Sequence, residues 1–343
     1  MTYIVKELDT ASVGRWEEFV ARCPEATFFH KAGWKRVVEN SFRHRTHYLY
    51  AERDGVICGV LPLVHVNSRL FANGLISNAF CVAGGPAVME PGARGALDRR
   101  AQELMEEVRA DYVEYRDPPA QHESWAKREN FYVTFEKPIL RDYDAALKDW
   151  PKRQRNVLLK GMTAGLTAEV ETGIGSFHPL YALSMRNFGT PVFPRRYFQE
   201  LLREFAGCAD ITTVRHQGKP IASVLSFWFR ERALPYYIGT DPISRELGGS
   251  EFVIWEIMRR GAERGCTIMD LGRSKVGTGP AAFKHNIGCT SRPLVYEFKM
   301  RGTLPIPEVN PLNPKYQLMI RMWKRLPVPV ANLIGPHIVR GIG

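Results

Sequence analysis

The sequence is informative first for what is missing from it. Its 343 residues contain no unbroken apolar run of the roughly 18 residues that a membrane-spanning helix needs. Lys6, Glu7 and Asp9 stand near the start, where an export signal would carry its apolar stretch. We therefore expect a protein of the cytoplasm.

Cysteine and histidine pairs with metal-binding spacing are also missing. The six cysteines are widely separated and no C-x-x-C occurs. His44 and His47 are the only close histidine pair, and no cysteine or carboxylate cluster stands beside them. This pattern is typical of reduced thiols and argues against a disulfide framework or a zinc site. We expect no metal and no tightly bound cofactor.

Acidic residues are scarce in two places, and the net charge is +11. No acid follows Glu308, whereas the same tail carries Lys315, Arg321, Lys324, Arg325 and Arg340. A second excess of cations lies at Lys152, Arg153, Arg155 and Lys160. This balance predicts an anionic partner, either nucleic acid, a phosphorylated substrate or acidic lipid. Charge that only keeps the protein soluble is the alternative.

What the chain does contain is a unit that occurs twice, at an offset of about 160 residues. Residues 47–66, HYLYAERDGVICGVLPLVHV, turn at Asp54-Gly55, and residues 210–229, DITTVRHQGKPIASVLSFWF, turn at Gln217-Gly218. Such dipeptides between β-rich flanks predict two hairpins.

A helix followed by a strand is repeated after each hairpin. Residues 96–117 correspond to residues 252–273, and the apolar residues of the first segment have helical spacing. A third pair of blocks, SWAKRENF at 124–131 and AAFKHNIG at 281–288, extends the predicted repeat. The order predicts an α+β fold with mixed sheets flanked by helices.

The order of elements in each copy is similar to the core of the GNAT (acyl-CoA N-acyltransferase) fold, which implies two tandem GNAT-like domains. We predict an N-terminal domain at residues 1–150 and a C-terminal domain with the transfer site at residues 151–304. Residues 305–343 form a basic, proline-containing tail with an amphipathic helix.

Five further segments follow one another within residues 1–300. They are FFHKAGWKRVV, KRQRNVLLKGMTAGL, SMRNFGTPVFPRRYFQELL, YYIGTDPISRELGGSEFVIWEIM and DLGRSKVGTGPAAFKHNIG. Together they make the chain resemble the FemAB family, whose tandem GNAT-like members transfer amino acids from aminoacyl-tRNA. The subset associated with exosortase (PEP-CTERM) and extracellular-polysaccharide systems is the most similar. The resemblance implies an acyltransferase or aminoacyltransferase.

The resemblance implies that Phe283 and Lys284 lie in the transfer site. A fixed ammonium at Lys284 would stabilise the negative charge that acyl transfer builds on a carbonyl oxygen, or would hold a substrate phosphate. Asp270 ends a predicted strand, as Glu114 does in the first copy, and is a candidate orienting carboxylate. A solvated lysine is the alternative for Lys284.

Further candidates surround this pair in the sequence. Arg273, Ser274 and Lys275 follow the strand and are expected to bind substrate, although a turn with incidental cations is the alternative. The resemblance implies that Arg186 holds an anionic acceptor and that Tyr237 lines the same pocket.

In the first copy, the resemblance implies that Lys35 or Arg36 contacts the acceptor. We expect the neighbouring Trp34 to lie in the core.

Two segments offer binding sites for a donor. Arg245, Gly248, Gly249 and Ser250 partly match the loop that holds the pyrophosphate of acyl-CoA at a helix N-terminus. Ser250 is a candidate N-cap, so the glycines could instead serve helix entry.

The basic segment with Arg153, Arg155 and Lys160 is predicted to form a helix that ends near Gly165. It would suit the phosphates of tRNA or of a lipid-linked precursor. A solvated helix face is the alternative.

The tail raises one more question of partners. Leu318, Met319, Met322 and Trp323 can line one helix face while Arg321, Lys324 and Arg325 line another. This composition is typical of a helix in the interface of an anionic membrane. The alternative is a helix that docks its apolar face on the protein.

We therefore predict transfer of an aminoacyl or acyl group, from aminoacyl-tRNA or a similar donor, to an amine of a cell-envelope or polysaccharide precursor. The acceptor would be an anionic small molecule or lipid-linked, and no DNA partner is expected. The protein would be cytoplasmic or peripheral at the inner face of the membrane. The alternatives are an N-acyltransferase that uses acyl-CoA as co-substrate and a non-catalytic scaffold that binds RNA or lipid.

Overall fold

The computed structural model describes residues 2–68, 71, 73–119, 121–307 and 314–343. These residues form two compact units. Unit 1 is Met1–Asn130, Leu294–Asn310 and His337–Gly343; unit 2 is Phe131–Pro293 and Pro311–Pro336. The boundaries predicted after residues 150 and 304 differ from this division, because each unit takes in a segment from the other half of the chain.

Unit 1 is a mixed sheet with helices. Its elements are β1 Ile4–Glu7, α1 Val13–Arg22, a 3-10 helix Phe28–His30, α2 Gly33–Phe42, β2 Arg45–Arg53, β3 Val56–Asn67, β4 Asn73–Ser77, β5 Ala87–Val88, α3 Pro91–Glu107, β6 Tyr112–Arg116 and the last part of β13, a strand that spans Thr290–Met300. The strand order is β1-β2-β3-β4-β6-β13, and β5 pairs with β3.

Unit 2 repeats this arrangement. Its elements are the second part of β7 (Ala126–Pro138), α4 Tyr143–Lys148, α5 Lys152–Thr163, β8 Thr167–Glu171, α6 Phe177–Phe188, α7 Arg195–Glu204, β9 Ala209–His216, β10 Lys219–Phe229, β11 Arg232–Thr240, α8 Pro242–Leu247, α9 Gly249–Glu263, β12 Ile268–Lys275, α10 Gly279–Asn286, α11 Pro314–Trp323 and most of α12 Val328–Val339. The strand order is β7-β12-β11-β10-β9-β8.

The two predicted hairpins are confirmed. In the turn between β2 and β3, Asp54 and Gly55 have φ of 50° and 77°, and between β9 and β10, Gln217 and Gly218 have 49° and 78°. Two consecutive left-handed residues are the geometry of the tight turn that matches the twist of paired strands.

The predicted helix-and-strand pairs are confirmed as α3 with β6 and α9 with β12. The apolar spacing of α3 buries Leu97, Ala101 and Leu104. α9 buries residues on more than one face, including Phe252, Ile254 and Ile257. Each fully buried side chain of this size contributes roughly 1.5–3 kcal/mol, so these helices anchor the sheets that they cover.

The third part of the predicted repeat is wrong. Residues 126–131 begin strand β7, whereas residues 281–286 end helix α10. The alternation in RENFYVTF favours a strand, and Pro280 at the start of α10 with two alanines after it favours a helix.

Each sheet is completed by a strand from the other half of the chain. In unit 1, Tyr296–Met300 of β13 pair antiparallel with Tyr112–Arg116 of β6. In unit 2, Tyr132–Pro138 of β7 pair antiparallel with β12. The duplicated units are therefore interleaved along the sequence.

Candidate functional site

In unit 2 the parallel strands β11 and β12 pair at their first residues. Arg232 pairs with Ile268 and Ala233 with Met269. Further along, β11 is held by β10 as far as Thr240, and β12 is held by β7 as far as Lys275. The sheet therefore opens between the carboxyl ends of two parallel strands, which is where open α/β sheets bind ligands.

A β-bulge in β12 lies at the start of this opening. The register with β7 shifts between Asp270 and Gly272, and Gly272 has a left-handed φ of 62°. The N–H of Gly272 donates to Oδ1 of Asp270 at 2.8 Å. A bulge of this kind bends a strand and changes the direction of the side chains that follow.

Lys284 fixes the bulge from helix α10. Its buried Nζ donates to the carbonyl oxygens of Leu271, Gly272 and Arg273 at 2.6, 3.0 and 3.2 Å. An ammonium has three N–H donors, so these bonds use all of them. The Nζ also lies 5.2 Å from the centre of the Phe135 ring. We call this arrangement of Lys284 on the β12 carbonyls the lysine clamp.

The electrostatics of the clamp are dominated by burial. Burial lowers the pKa of Lys284 to about 8, although the charge of Asp270 acts in the opposite direction. Burial raises the pKa of Asp270, and the Gly272 N–H and Arg232 oppose the rise. Arg232 is 3.6 Å from the Asp270 carboxylate. Each charge is therefore only partly compensated by its neighbours.

The prediction that Arg273, Ser274 and Lys275 follow the strand is wrong, because pairing with β7 continues β12 as far as Lys275. Ser274 is buried in β12, and Phe283 packs half-buried against the core of unit 2. The Arg273 guanidinium lies 4.7 Å from the ring centre of Tyr132. Lys275 Nζ lies 5.2 Å from that of Phe131.

Arg186 lies elsewhere in unit 2, whereas Tyr237 is on β11, beyond the residues of that strand that pair with β12. Arg186 is on α6, where one guanidinium nitrogen donates to the carbonyl oxygen of Lys324 at 3.1 Å. Its Nε is buried without a hydrogen-bond partner among the described residues. Tyr237 is buried in β11, and its hydroxyl is 2.7 Å from that of Tyr197. Arg186 is thus in contact with the tail.

The predicted acyl-CoA loop is closely packed. Gly248 ends α8 with a φ of 72° and is also the N-cap of α9, so the prediction that Ser250 is the N-cap is wrong. A Cβ on Gly248 would lie 2.4 Å from the carbonyl oxygen of Val157, and one on Gly249 would lie 2.7 Å from Ser244 Oγ. Gly248 thus permits α5 to pack against this loop, and Gly249 permits close packing on Ser244 of α8. Arg245 is exposed on α8.

A buried carboxylate that the sequence analysis missed lies at the same helix start. Glu251 is in the first turn of α9, where burial raises its pKa and a hydrogen bond from its own N–H acts against the rise. A carboxylate here interacts favourably with the positive end of the helix dipole and repels another anion. An acidic residue three positions after the N-cap was a signal that could have found it.

The basic segment is helix α5, as predicted, and Gly165 follows it in a left-handed conformation. Arg153 is exposed and Arg155 is half-buried. Lys160 donates to the carbonyl oxygen of Glu246 at 2.8 Å, which ties α5 to α8.

Lys35 and Arg36 lie on α2 in unit 1. Lys35 Nζ contacts Glu39 at 2.7 Å and Thr46 Oγ1 at 2.8 Å, while Arg36 is exposed. Trp34 is fully buried, as expected.

One cavity of unit 2 has none of the lysine clamp residues in its walls. It has a volume of about 480 Å³ and lies beside α4 and α9. None of the predicted site residues lines it; its walls are Leu140, Arg141, Tyr143, Ala146, Trp255, Met258, Arg259, Ala262, Glu263 and Gly265.

The opening between β11 and β12, and helix α9 that connects these two strands, can be compared with known folds. Residues 152–285 match the family model of the acetyltransferase (GNAT) domain. The molecule has a tandem GNAT fold. This confirms the α+β fold that the repeated hairpins and helices predicted and the two GNAT-like domains that their order implied.

Three solved structures illustrate the likeness. FemX is 14% identical with a TM-score of 0.68, over 85% of this chain and 96% of that one. A tandem GNAT protein of clavulanic acid biosynthesis is 14% identical with a TM-score of 0.55, over 89% of this chain and 100% of that one. The C-terminal domain of a proposed lysylphosphatidylglycerol synthetase from Agrobacterium fabrum is 13% identical with a TM-score of 0.59, over 85% of this chain and 92% of that one.

At these identities the likeness establishes the fold. No curated protein matches this chain in sequence. Among the described residues, no helix has both the length and the apolar character needed to cross a bilayer.

Proposed function

We propose that this protein is a FemAB-like transferase that moves an aminoacyl group from aminoacyl-tRNA to an amine of a cell-envelope or polysaccharide precursor. The observation that carries the proposal is the opening between β11 and β12 with the lysine clamp at its start. The resemblance of the sequence to the FemAB family and the fold shared with FemX support it.

The reaction is attack of an amine on an activated ester. A C–N bond forms to the carbonyl carbon and the ester C–O bond breaks. The proton of the amine passes, directly or through a water, to the leaving ribose oxygen, which becomes a hydroxyl. Positioning and charge stabilisation are the main contributions that such a site makes. The bulge at Asp270 and Gly272, held by Lys284, would fix the backbone beside the donor carbonyl.

The start of α9 supports aminoacyl-tRNA over acyl-CoA as the donor. An acyl-CoA pyrophosphate needs the free N–H groups and the positive dipole of a helix N-terminus. Here Glu251 places a buried carboxylate in that turn, and α5 packs on Gly248. The match of residues 152–285 to an acetyltransferase domain model is the observation that favours the acyl-CoA alternative.

The acceptor is proposed to be anionic. In unit 2 its proposed contacts are Arg186 and Tyr237, and the cations of α5 would meet the phosphates of tRNA or of a lipid-linked precursor. The acceptor contacts implied for Lys35 and Arg36 of unit 1 stay a prediction. The net charge of +11 supports an anionic partner. More specifically, we propose that the acceptor belongs to an exosortase or extracellular-polysaccharide system. We also propose that the protein acts in the cytoplasm or at the inner face of its membrane.

A donor competition assay tests the proposal. The purified chain is given a radiolabelled aminoacyl-tRNA mixture or radiolabelled acetyl-CoA, together with a panel of amino sugars and amine-bearing lipid-linked precursors. We expect label to move from aminoacyl-tRNA only. Transfer from acetyl-CoA alone would establish the alternative donor, and no transfer with retained tRNA binding would indicate a scaffold.

A further inference from the structure

Helices α11 and α12 leave large apolar side chains in solvent. Leu318, Met319 and Met322 of α11 are 62%, 57% and 63% exposed, and Leu333 of α12 is 73% exposed. Ile334 is also exposed. We call these five side chains the tail face. Leu318 and Met319 lie four and three positions before Met322, so these three residues share one face of α11. Exposed apolar residues grouped on one face mark interaction surfaces.

The other side of the same helices is docked within unit 2. On α11, Ile320 packs so closely on Gly189 that a Cβ there would lie 2.5 Å from Ile320 Cγ2. On α12, a Cβ on Gly335 would lie 2.8 Å from Val192. The tail face is therefore the outer side of folded helices rather than an unpacked end of the chain.

Cations accompany the apolar side chains. Arg321, Lys324 and Arg325 are all exposed. No Asp or Glu occurs between residues 314 and 343. Apolar side chains beside a basic, acid-free face are typical of helices that lie in the headgroup region of a bilayer.

We propose that the tail face is a docking surface for a membrane with anionic lipids. The apolar residues would enter the boundary between headgroups and acyl chains, and the three cations would contact lipid phosphates. Charge favours an anionic membrane over a second copy of the chain. If two tail faces met, their cations would repel one another, and this segment contains no acidic residue to neutralise them. This inference does not depend on the transferase activity.

Vesicle co-sedimentation of the full chain tests the proposal. We expect binding to vesicles of phosphatidylcholine mixed with phosphatidylglycerol and little binding to phosphatidylcholine alone. The triple variant Leu318→Gln, Met319→Gln, Met322→Gln should weaken binding at least about tenfold. The variant Arg321→Gln, Lys324→Gln, Arg325→Gln should weaken it roughly a hundredfold at low salt.

The matched control is Val56→Gln, Met89→Gln, Val170→Gln, which removes three exposed apolar side chains elsewhere and should bind as the unaltered chain does. Circular dichroism and sedimentation velocity on each variant report folding and assembly. The proposal is overturned if the folded tail variants bind anionic vesicles like the control. It is equally overturned if the unaltered chain is a dimer that the apolar variant dissociates without any change in lipid binding.

Discussion

The same position of the fold is built differently in the two units. In unit 1, β6 runs parallel to β4 and ends in Glu114 and Arg116, both buried and joined by a 2.8 Å hydrogen bond. Arg116 also donates to the carbonyl oxygen of Cys81 at 2.9 Å. In unit 2, Asp270 has Arg232 at 3.6 Å, and burial raises its pKa.

A buried carboxylate with a closely bonded guanidinium is a stable end to a strand. A buried carboxylate that is only partly compensated costs free energy and is retained more often where it takes part in function. This contrast supports the proposal that the chemistry takes place in unit 2 and that the matching position of unit 1 is structural.

Removal of the lysine clamp is the strongest test of this difference between the two units. Lys284→Met removes three N–H donors from the carbonyls of β12, so the bulge is no longer fixed beside the proposed position of the aminoacyl donor. We expect the rate of aminoacyl transfer to fall at least about a hundredfold. Single-turnover transfer from aminoacyl-tRNA measures it.

The matched control is Arg116→Met in unit 1. It leaves Glu114 buried without its guanidinium and should lower the free energy of unfolding by about 3–5 kcal/mol. The folded fraction should transfer at the normal rate. Equal loss of transfer in both variants, at a temperature where both are folded, would contradict the division of roles.

The free energy of unfolding should depend on pH because Lys284 is buried in the lysine clamp. The pKa of Lys284 is about 8 in the folded protein and near 10.5 in the unfolded chain. Between these values the unfolded chain binds more protons, so the free energy of unfolding should rise with pH, by up to about 3 kcal/mol. Urea unfolding of the unaltered chain and of Lys284→Met, from pH 7.5 to 10.5, measures the difference. Parallel curves for the two proteins would refute a buried, charged Lys284.

The helix starts of the two units offer a third contrast. α3 has no acidic residue in its first turn, whereas α9 has the buried Glu251. Removing this carboxylate with Glu251→Gln should improve acetyl-CoA binding to unit 2 by about tenfold, because a repelling charge is lost at an anion-binding position. Isothermal titration calorimetry measures the affinity. Glu256→Gln on the same helix is the control, and equal gains in both variants would show a general charge effect.

The smallest expected effect concerns His122 in unit 1, which lies 3.1 Å from Asp98 and 3.0 Å from Glu297 of β13. Hydrogen bonds to these carboxylates raise its pKa to about 9. Because the pKa is raised, the stabilisation is complete below the unfolded value near 6.5 and is lost as the pH rises through 9.

His122→Gln should therefore cost about 1–2 kcal/mol at pH 6, since the side chain is partly exposed, and much less above pH 9.5. Thermal unfolding at the two pH values measures it. A pH-independent cost would show that the ring acts only by packing, for example against Trp125.

Local signals in the sequence predicted the fold well. Asp54-Gly55 and Gln217-Gly218 specify tight turns by their own conformational preferences, and the apolar spacing of α3 specifies its buried side. Ser250 misled because its preference for an N-cap is weaker than the geometry set by Gly248, which ends one helix and begins the next.

Features that depend on distant partners were not predictable. The sequences of β7 and β13 do not show which sheet each strand will join, since strands pair through backbone groups that every residue has. Lys284 was predicted from the family resemblance, but the clamp was not, because its three acceptors are backbone carbonyls, which every residue has. Glu251 was missed because a first-turn acid is usually exposed, and only packing by neighbouring elements buries it.

The exchange of β7 and β13 has a consequence for how such a molecule can arise and be divided. A fragment that ends before residue 294 would leave β6 with an unpaired edge, and unpaired edges favour aggregation. A fragment that starts after residue 138 would do the same to β12. The two halves are thus not separable modules, and recombination that replaced one of them would have to replace a strand of the other.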